Sequence, residues 1–349
     1  MSKRFKRNII LIILVLSVLY WTAVNFLVSA VLVPSFMEKL DAFERISAQS
    51  YAEQVSETEL VRNSTAMAVI GEVWGRQPGI ERVEILSEDG YRLRGVLLEV
   101  KAGLGDEDSS VQTADMDESG EKASHRWAVL LHGYTGSKEM MYGYAYWYSL
   151  NGFNVLAPDF RCQGESEGDY IGLGASDSED LARWIDLILE RDPEAEIVLH
   201  GLSMGASTAL LYAGRENLPD NIKAVISDCA YTDAYSMFQE KIGSWFHLPT
   251  FPVVDSAELV IRLRAGYDLK ETSPLKAVSI SRIPALFIHG EEDRMIPVEM
   301  CRKLYGAALS DKQIMIVEGA GHAQAADKDP QRYFDAVKVF LGSQGMEMP

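Results

Sequence analysis

The chain has 349 residues, 47% of them hydrophobic, which is enough to bury a sizeable core and argues against global disorder. Its formal net charge is −18; with Lys3, Arg4, Lys6 and Arg7 set aside, the remainder carries 29 basic against 51 acidic residues, a balance of −22 that repels nucleic acid and argues against a nucleic-acid partner. Only three cysteines are present, Cys162, Cys229 and Cys301, with no Cys-x-x-Cys or Cys/His cluster, so neither a disulfide scaffold nor a zinc module fits.

The basic tail, residues 1–8, precedes an apolar run from Ile9 to Val33 that Pro34 closes. At about 1.5 Å per residue this run spans a hydrocarbon core of about 30 Å. Positive charge on its amino-terminal side places the tail in the cytoplasm and the rest of the chain on the outer face, as a single-pass protein of the cell membrane. The competing reading is a cleaved signal peptide releasing a secreted protein, with Val28-Ser29-Ala30 as the small-residue site. The run exceeds the usual apolar region of about 7–15 residues in a signal peptide, which favours an uncleaved anchor over residues 9–33.

Residues 34–78 carry Phe36, Leu40, Phe43 and Ile46 at helical spacing and read as a membrane-proximal helical segment. Gln77-Pro78-Gly79 is a turn that opens the main domain, residues 79–341. Two strand-like runs follow, Ile80–Leu86 and Tyr91–Lys101, joined at Glu88-Asp89-Gly90 as a hairpin. Residues 103–124 are acidic and lack aromatics, which predicts a disordered surface loop. Beyond Arg126, strands and helices alternate. The strand candidates are Trp127–Leu131, Asn154–Pro158, Glu196–His200, Ala224–Ser227, Ala285–Ile288 and Gln313–Val317; Asp177–Arg191 and Ser203–Arg215 are helical. Short Val/Ile/Leu-rich strands of this kind belong to a parallel sheet buried on both faces, so the fold class is α/β with a mostly parallel central sheet flanked by helices. Residues 231–273 lack sheet character and contain Tyr231, Tyr235, Phe238, Trp245, Phe246, Phe251 and Tyr267, which predicts a small apolar lid insertion.

The chemistry centres on Gly201-Leu202-Ser203-Met204-Gly205, between a predicted strand and a predicted helix. Glycines on both sides leave room for a sharp turn that presents the Ser203 hydroxyl, and the backbone N–H of Met204 opens the helix facing a developing oxyanion. A serine hydroxyl needs a base. Of six histidines, His322 in Gly319-Ala320-Gly321-His322 sits on a loop after the last strand, whereas His132, His200 and His289 end strands and suit structural roles. His125 borders the acidic loop and His247 lies in the lid. Asp293 in His289-Gly290-Glu291-Glu292-Asp293-Arg294 is the best acid for orienting His322, with Glu291 and Glu292 as neighbouring rivals. The second oxyanion donor is assigned to the backbone N–H of Tyr134 in His132-Gly133-Tyr134-Thr135-Gly136. Asp159 ends a strand and suits a loop brace, and Cys229 suits a small buried filler better than a reactive thiol.

The segments HGYTGS, DFRCQGESEG, GLSMG, HGEEDRMIP and GAGHAQA together resemble the α/β-hydrolase superfamily over about residues 80–341. They are similar to membrane-anchored bacterial hydrolases of the peptidase S9/S33-like and BEM46-like type. The order Ser203, Asp293, His322 matches that superfamily. One departure stands out: Cys162 occupies a position where such proteins usually have glycine. The resemblance implies a serine hydrolase cleaving a carboxylic ester, thioester or amide of a small acyl ester or peptide-like substrate, with no metal or organic cofactor required. An aminopeptidase-like peptidase, an acyltransferase and a catalytically inert membrane-tethered binding protein are the alternatives.

Overall fold

Along every strand but the first, alternate side chains enter two different cores. In the third strand Trp127, Val129 and Leu131 belong to one apolar cluster, while Ala128 and Leu130 belong to the other. This period of two, with both sides apolar, is what a sheet covered by helices on both faces requires. The computed structural model describes residues 3–34, 67–68, 70–100, 124–246 and 249–348. The stripe of Phe36, Leu40, Phe43 and Ile46, the acidic loop apart from Ser124, and His247 lie outside the described residues.

Eight strands form one sheet: β1 (Glu81–Leu86), β2 (Arg92–Leu98), β3 (Arg126–Leu131), β4 (Asn154–Pro158), β5 (Glu196–Leu202), β6 (Ile222–Asp228), β7 (Ala285–Gly290) and β8 (Lys312–Val317). Their order is β1-β2-β4-β3-β5-β6-β7-β8. The β1–β2 and β2–β4 pairs are antiparallel, and every pair from β4 to β8 is parallel. The β1–β2 hairpin turns through Gly90 at φ 92°, and the Ser87 hydroxyl accepts the Tyr91 N–H at 2.9 Å.

The principal helices are α1 (Lys3–Leu32), α2 (Tyr142–Leu150), α3 (Ala175–Arg191), α4 (Met204–Ala213), α5 (Ala234–Phe246), α6 (Thr250–Arg264), α7 (Pro274–Val278), α8 (Val298–Ala307), α9 (Ala325–Lys328) and α10 (Pro330–Ser343). On one face α3 and α4 bury Leu181, Trp184, Ile188, Ala209 and Leu210. On the other, α2 and α10 bury Tyr144, Tyr148, Tyr333, Val337 and Phe340. The expected lid segment forms α5 and α6. It is rooted by Tyr231, whose hydroxyl donates to the Leu173 carbonyl at 2.7 Å, and by Tyr267, which donates to the Ile171 carbonyl at 2.8 Å. Much of its apolar content is ordinary core: Phe238, Ile242, Val254 and Ile261 are all buried.

Helix α1 is long and apolar enough to cross a membrane over Arg7–Leu32, with a mean hydropathy of 2.4, although a signal sequence passes the same test. From Arg7 to Leu19 it is exposed on every side, whereas Val24, Leu27, Val28 and Leu32 pack into the domain. Polar contacts hold that second half in place. The hydroxyls of Tyr20 and Ser256 are 2.8 Å apart, Arg264 Nη1 donates to Ser29 Oγ at 3.0 Å, and the Ile171 N–H donates to the Leu32 carbonyl at 2.9 Å.

The departure at Cys162 leaves the loop backbone of a glycine. Cys162 sits at φ 60°, in the left-handed region, and its N–H donates to the Glu167 carbonyl at 3.0 Å. A side chain there costs about 1–2 kcal/mol, while glycine's extra unfolded-state entropy costs roughly 0.5–1 kcal/mol. Cys162→Gly is therefore expected to leave stability unchanged or raise it by up to about 1 kcal/mol, read from the denaturant midpoint. A loss of more than about 2 kcal/mol would show that the thiol packs more than it strains.

Candidate active site

At the carboxyl end of β5 the chain reverses into α4 within one residue. Ser203 takes φ 56° and ψ −114°, and its N–H donates to the Asp228 carbonyl at the end of β6 at 2.8 Å. The turn closes so tightly that a Cβ on Gly205 would lie 2.1 Å from the Leu131 carbonyl oxygen, and one on Gly201 would lie 2.2 Å from the Gly205 carbonyl oxygen. No side chain fits either place, which is the physical reason for the glycine spacing around the serine.

Three residues far apart in sequence meet here. His322 Nε2 is 2.9 Å from Ser203 Oγ, and His322 Nδ1 is 2.7 Å from Asp293 Oδ2. A carboxylate only accepts, so Nδ1 carries the proton and Nε2 is left to accept from the serine hydroxyl. Ser203 and Asp293 are 8% and 7% exposed, so these bonds are largely sheltered from water. The loops bearing acid and base touch backbone to backbone: a Cβ on Gly290 would lie 2.3 Å from the Ala320 carbonyl oxygen. The rivals Glu291 and Glu292 are exposed and anchored only by their N–H groups, to Val317 and Ala320.

Asp293 is held by more than His322. Its Oδ1 accepts the N–H groups of Met295 and Ile296, each at 2.8 Å, and His289 Nε2 lies 3.2 Å from Oδ2. Burial works against the carboxylate, yet the hydrogen bonds from His289 and His322 outweigh it and hold its pKa well below the ordinary range. His289 is fully buried; burial is the largest single influence and opposes its charge, but Asp293, Cys301 and the Ile296 carbonyl, 2.8 Å from Nε2, together outweigh it and push its pKa up to about 10. The sequence gives no signal for this second imidazole, because only the loop between β7 and α8 turns residues 289 and 293 toward each other.

The residues assigned to the oxyanion flank the serine. Met204 is the first residue of α4, and the loop bearing Tyr134 passes so close that a Cβ on Gly133 would lie 3.5 Å from the Ser203 Cβ. His132 braces this loop. Its Nε2 accepts the Phe160 N–H at 3.0 Å, so its Nδ1 is the donor to the Gly133 carbonyl at 2.7 Å. Burial lowers its pKa, which suits this neutral form. Asp159 braces the same region: one oxygen accepts the Lys138 N–H, and the other accepts Lys138 Nζ, both at 2.7 Å. The Tyr134 side chain points away from the chemistry, its hydroxyl donating to the Val31 carbonyl of α1.

Cys229 is buried with its thiol pKa raised by desolvation, as a filler should be. Its sulfur shares a neighbourhood with donor atoms of Asp293 and His322, all within 4.8 Å of one another, the one such trio among the described residues. Both His322 nitrogens are already engaged and burial keeps the thiol protonated, so the trio offers neither a free imidazole nitrogen nor a thiolate to a metal ion. Behind the serine a buried relay runs from Tyr148 to His200 at 3.1 Å, from His200 to the Tyr333 hydroxyl at 2.9 Å and from Tyr333 to Asp228 at 3.0 Å. Desolvation lowers His200 to about 3, so it stays neutral there.

The α/β hydrolase fold family model matches residues 128–252. The uncharacterized protein YqkD of Bacillus subtilis is 31% identical over 214 residues, covering 61% of this chain and 70% of that protein. The chain belongs to the α/β-hydrolase superfamily. Among solved structures, the Pyrococcus furiosus esterase Pf2001 superposes with a TM-score of 0.56 at 21% identity, covering 76% of this chain and 90% of that one. The Pyrococcus horikoshii acylaminoacyl peptidase superposes with a TM-score of 0.53 at 19% identity, covering 78% and 42%. Both share the fold with this chain.

The shifted pair has opposite consequences for stability. Asp293, with its pKa lowered, contributes stability that is present above about pH 4 and lost as pH falls through its folded value. His289, with its pKa raised, contributes stability that is complete below about pH 6.5 and lost as pH rises through about 10. His289→Gln is expected to flatten the fall in unfolding free energy between about pH 6.5 and 10. An unchanged alkaline slope in the variant would show that His289 is neutral in the folded protein.

Proposed function

We propose that this chain is a serine hydrolase that cleaves a carboxylic ester, or a thioester or amide, through an acyl-enzyme, and that α1 anchors it in a membrane with the catalytic domain on the extracytoplasmic side. The observation that carries the reading is the continuous Ser203–His322–Asp293 hydrogen-bond chain. In the proposed reaction His322 Nε2 takes the Ser203 proton as Oγ attacks the carbonyl carbon, and Asp293 stabilises the imidazolium through Nδ1. The N–H groups of Met204 and Tyr134 bind the oxyanion. His322 then protonates the leaving group, and a water molecule, deprotonated by the same nitrogen, releases the acid.

A fluorophosphonate probe is expected to label the wild type and not Ser203→Ala; equal labelling of the two would remove Ser203 from the chemistry. Asp293→Asn is expected to lower kcat on a short-chain chromogenic ester by about 10⁴-fold, because the wrong tautomer is then held. Faster turnover of aminoacyl amides than of esters would favour the peptidase reading. For the anchor, protease added to intact cells should digest the domain, and complete protection would reverse the orientation.

A further inference from the structure

The free part of α1 is too short to cross a bilayer by itself. The exposed segment from Arg7 to Leu19 rises only about 20 Å at 1.5 Å per residue, against a hydrocarbon core of about 30 Å that takes about 20 residues. The missing 10 Å or so falls in the next two turns, Tyr20 to Phe26, which are docked on the domain. Thinning the bilayer by about a third would be the alternative, and mismatch of that size is unfavourable.

Those docked turns do not stand alone. Tyr20 bonds Ser256 in the middle of α6, and Ser29 bonds Arg264 at its end, so the two helices run side by side in the same direction. Whatever depth the Tyr20–Phe26 turns reach, the flank of α6 reaches too. That flank exposes large apolar side chains beside Asp255 and Arg262: Leu259 and Leu263, one turn apart, are 46% and 77% exposed, and Phe251, in the kink at the amino end, is 78% exposed. On α1 the adjoining exposed side chains at this level are Trp21 and Phe26. Polar groups interrupt and flank the strip. Asp255, between Phe251 and Leu259, accepts from the Tyr235 hydroxyl and Lys270, and Arg262, 3.6 Å from Asp268, lies near the carboxyl end, where a guanidinium on a long stem reaches phosphate while its stem stays in the apolar layer.

We propose that the strip of α6 formed by Phe251, Leu259 and Leu263 is a lipid-contact surface, sunk in the leaflet next to the catalytic domain and continuous with α1. The proposal rests on the reading of α1 as a bilayer-spanning anchor. Its partner is a phospholipid bilayer, and it makes the lid a membrane-embedded rim of the domain. The loop bearing Tyr134, next to Ser203, is tied to the last turn of α1 through the Val31 carbonyl.

Depth-dependent quenching tests it. The full chain, with Cys162→Ser to remove the one partly exposed thiol, carries a bimane label at Ile12→Cys, Leu259→Cys or Leu309→Cys and is reconstituted in phosphatidylcholine vesicles containing lipids brominated on the acyl chain. All three positions are exposed, so the substitutions disturb no packing, and thermal melting checks that each variant is folded. Loss of fluorescence at 12 and 259 but not at 309 is the expected result. Loss at 12 without loss at 259 would overturn the lipid-contact strip while leaving the anchor standing. No loss at 12 would overturn the anchor and the strip with it. Equal loss at 259 and 309 would mean general adsorption of the domain and would also overturn the proposal.

Discussion

Ser203 reaches His322 only because the backbone around it closes more tightly than any side chain permits. The elbow brings α4 onto the carboxyl ends of β3 and β5, with the Gly205 Cα pressed against the Leu131 and His132 carbonyls. One contact therefore sets three positions: the serine hydroxyl, the first N–H groups of α4 and the adjacent loop of Gly133 and Tyr134. The parallel sheet makes such a contact possible, because all its strand ends, with their loops, point the same way. The hydrogen bond from the Ser203 N–H to the Asp228 carbonyl extends the constraint to β6.

Two buried carboxylates near that elbow show how donors decide charge. Asp293 and Asp228 are both shielded from water. Asp293 receives two backbone N–H groups and two imidazoles, and it stays ionised far into acid. Asp228 receives the Tyr333 hydroxyl, its Oδ1 has no hydrogen-bond partner, and burial pushes its pKa up to about 6. The difference is one of satisfied lone pairs and nearby positive charge, not of depth.

The amino-terminal helix does two jobs with one sequence. From Ile9 to Leu19 it is apolar on every side and exposed among the described residues, while its second half places Val24, Leu27, Val28 and Leu32 in the main core. A cut after Ala30 would remove nearly all of that packing together with the Tyr20 and Ser29 contacts to α6. The docking thus gives the uncleaved form a structural rationale independent of the length of the apolar run, and it ties the lid and the loop of Tyr134 to the same helix.

Much of this was legible without coordinates. Val, Ile and Leu runs marked six strands to within a few residues, because a strand buried on both faces admits little else, and the Asp89-Gly90 turn marked the two strands of the amino-terminal hairpin. Glycines two before and two after Ser203 marked the elbow, and the loop positions of Asp293 and His322 marked their reach, since each reflects a local backbone need. Tertiary structure alone decided the rest. That His289 shares Asp293 with His322, that Glu291 and Glu292 turn outward, and that Tyr134 sends its hydroxyl to α1 all depend on how separate loops pack. The lid aromatics likewise divided between core and surface only through folding: Phe238 is buried, and Phe251 faces out. A chain's own periodicity fixes which elements form, because that is a property of neighbours in sequence. Partners in a site come from loops some 30 to 120 residues apart, here 29 between Asp293 and His322 and 119 between Ser203 and His322, and only their meeting in space sets distance, charge and exposure.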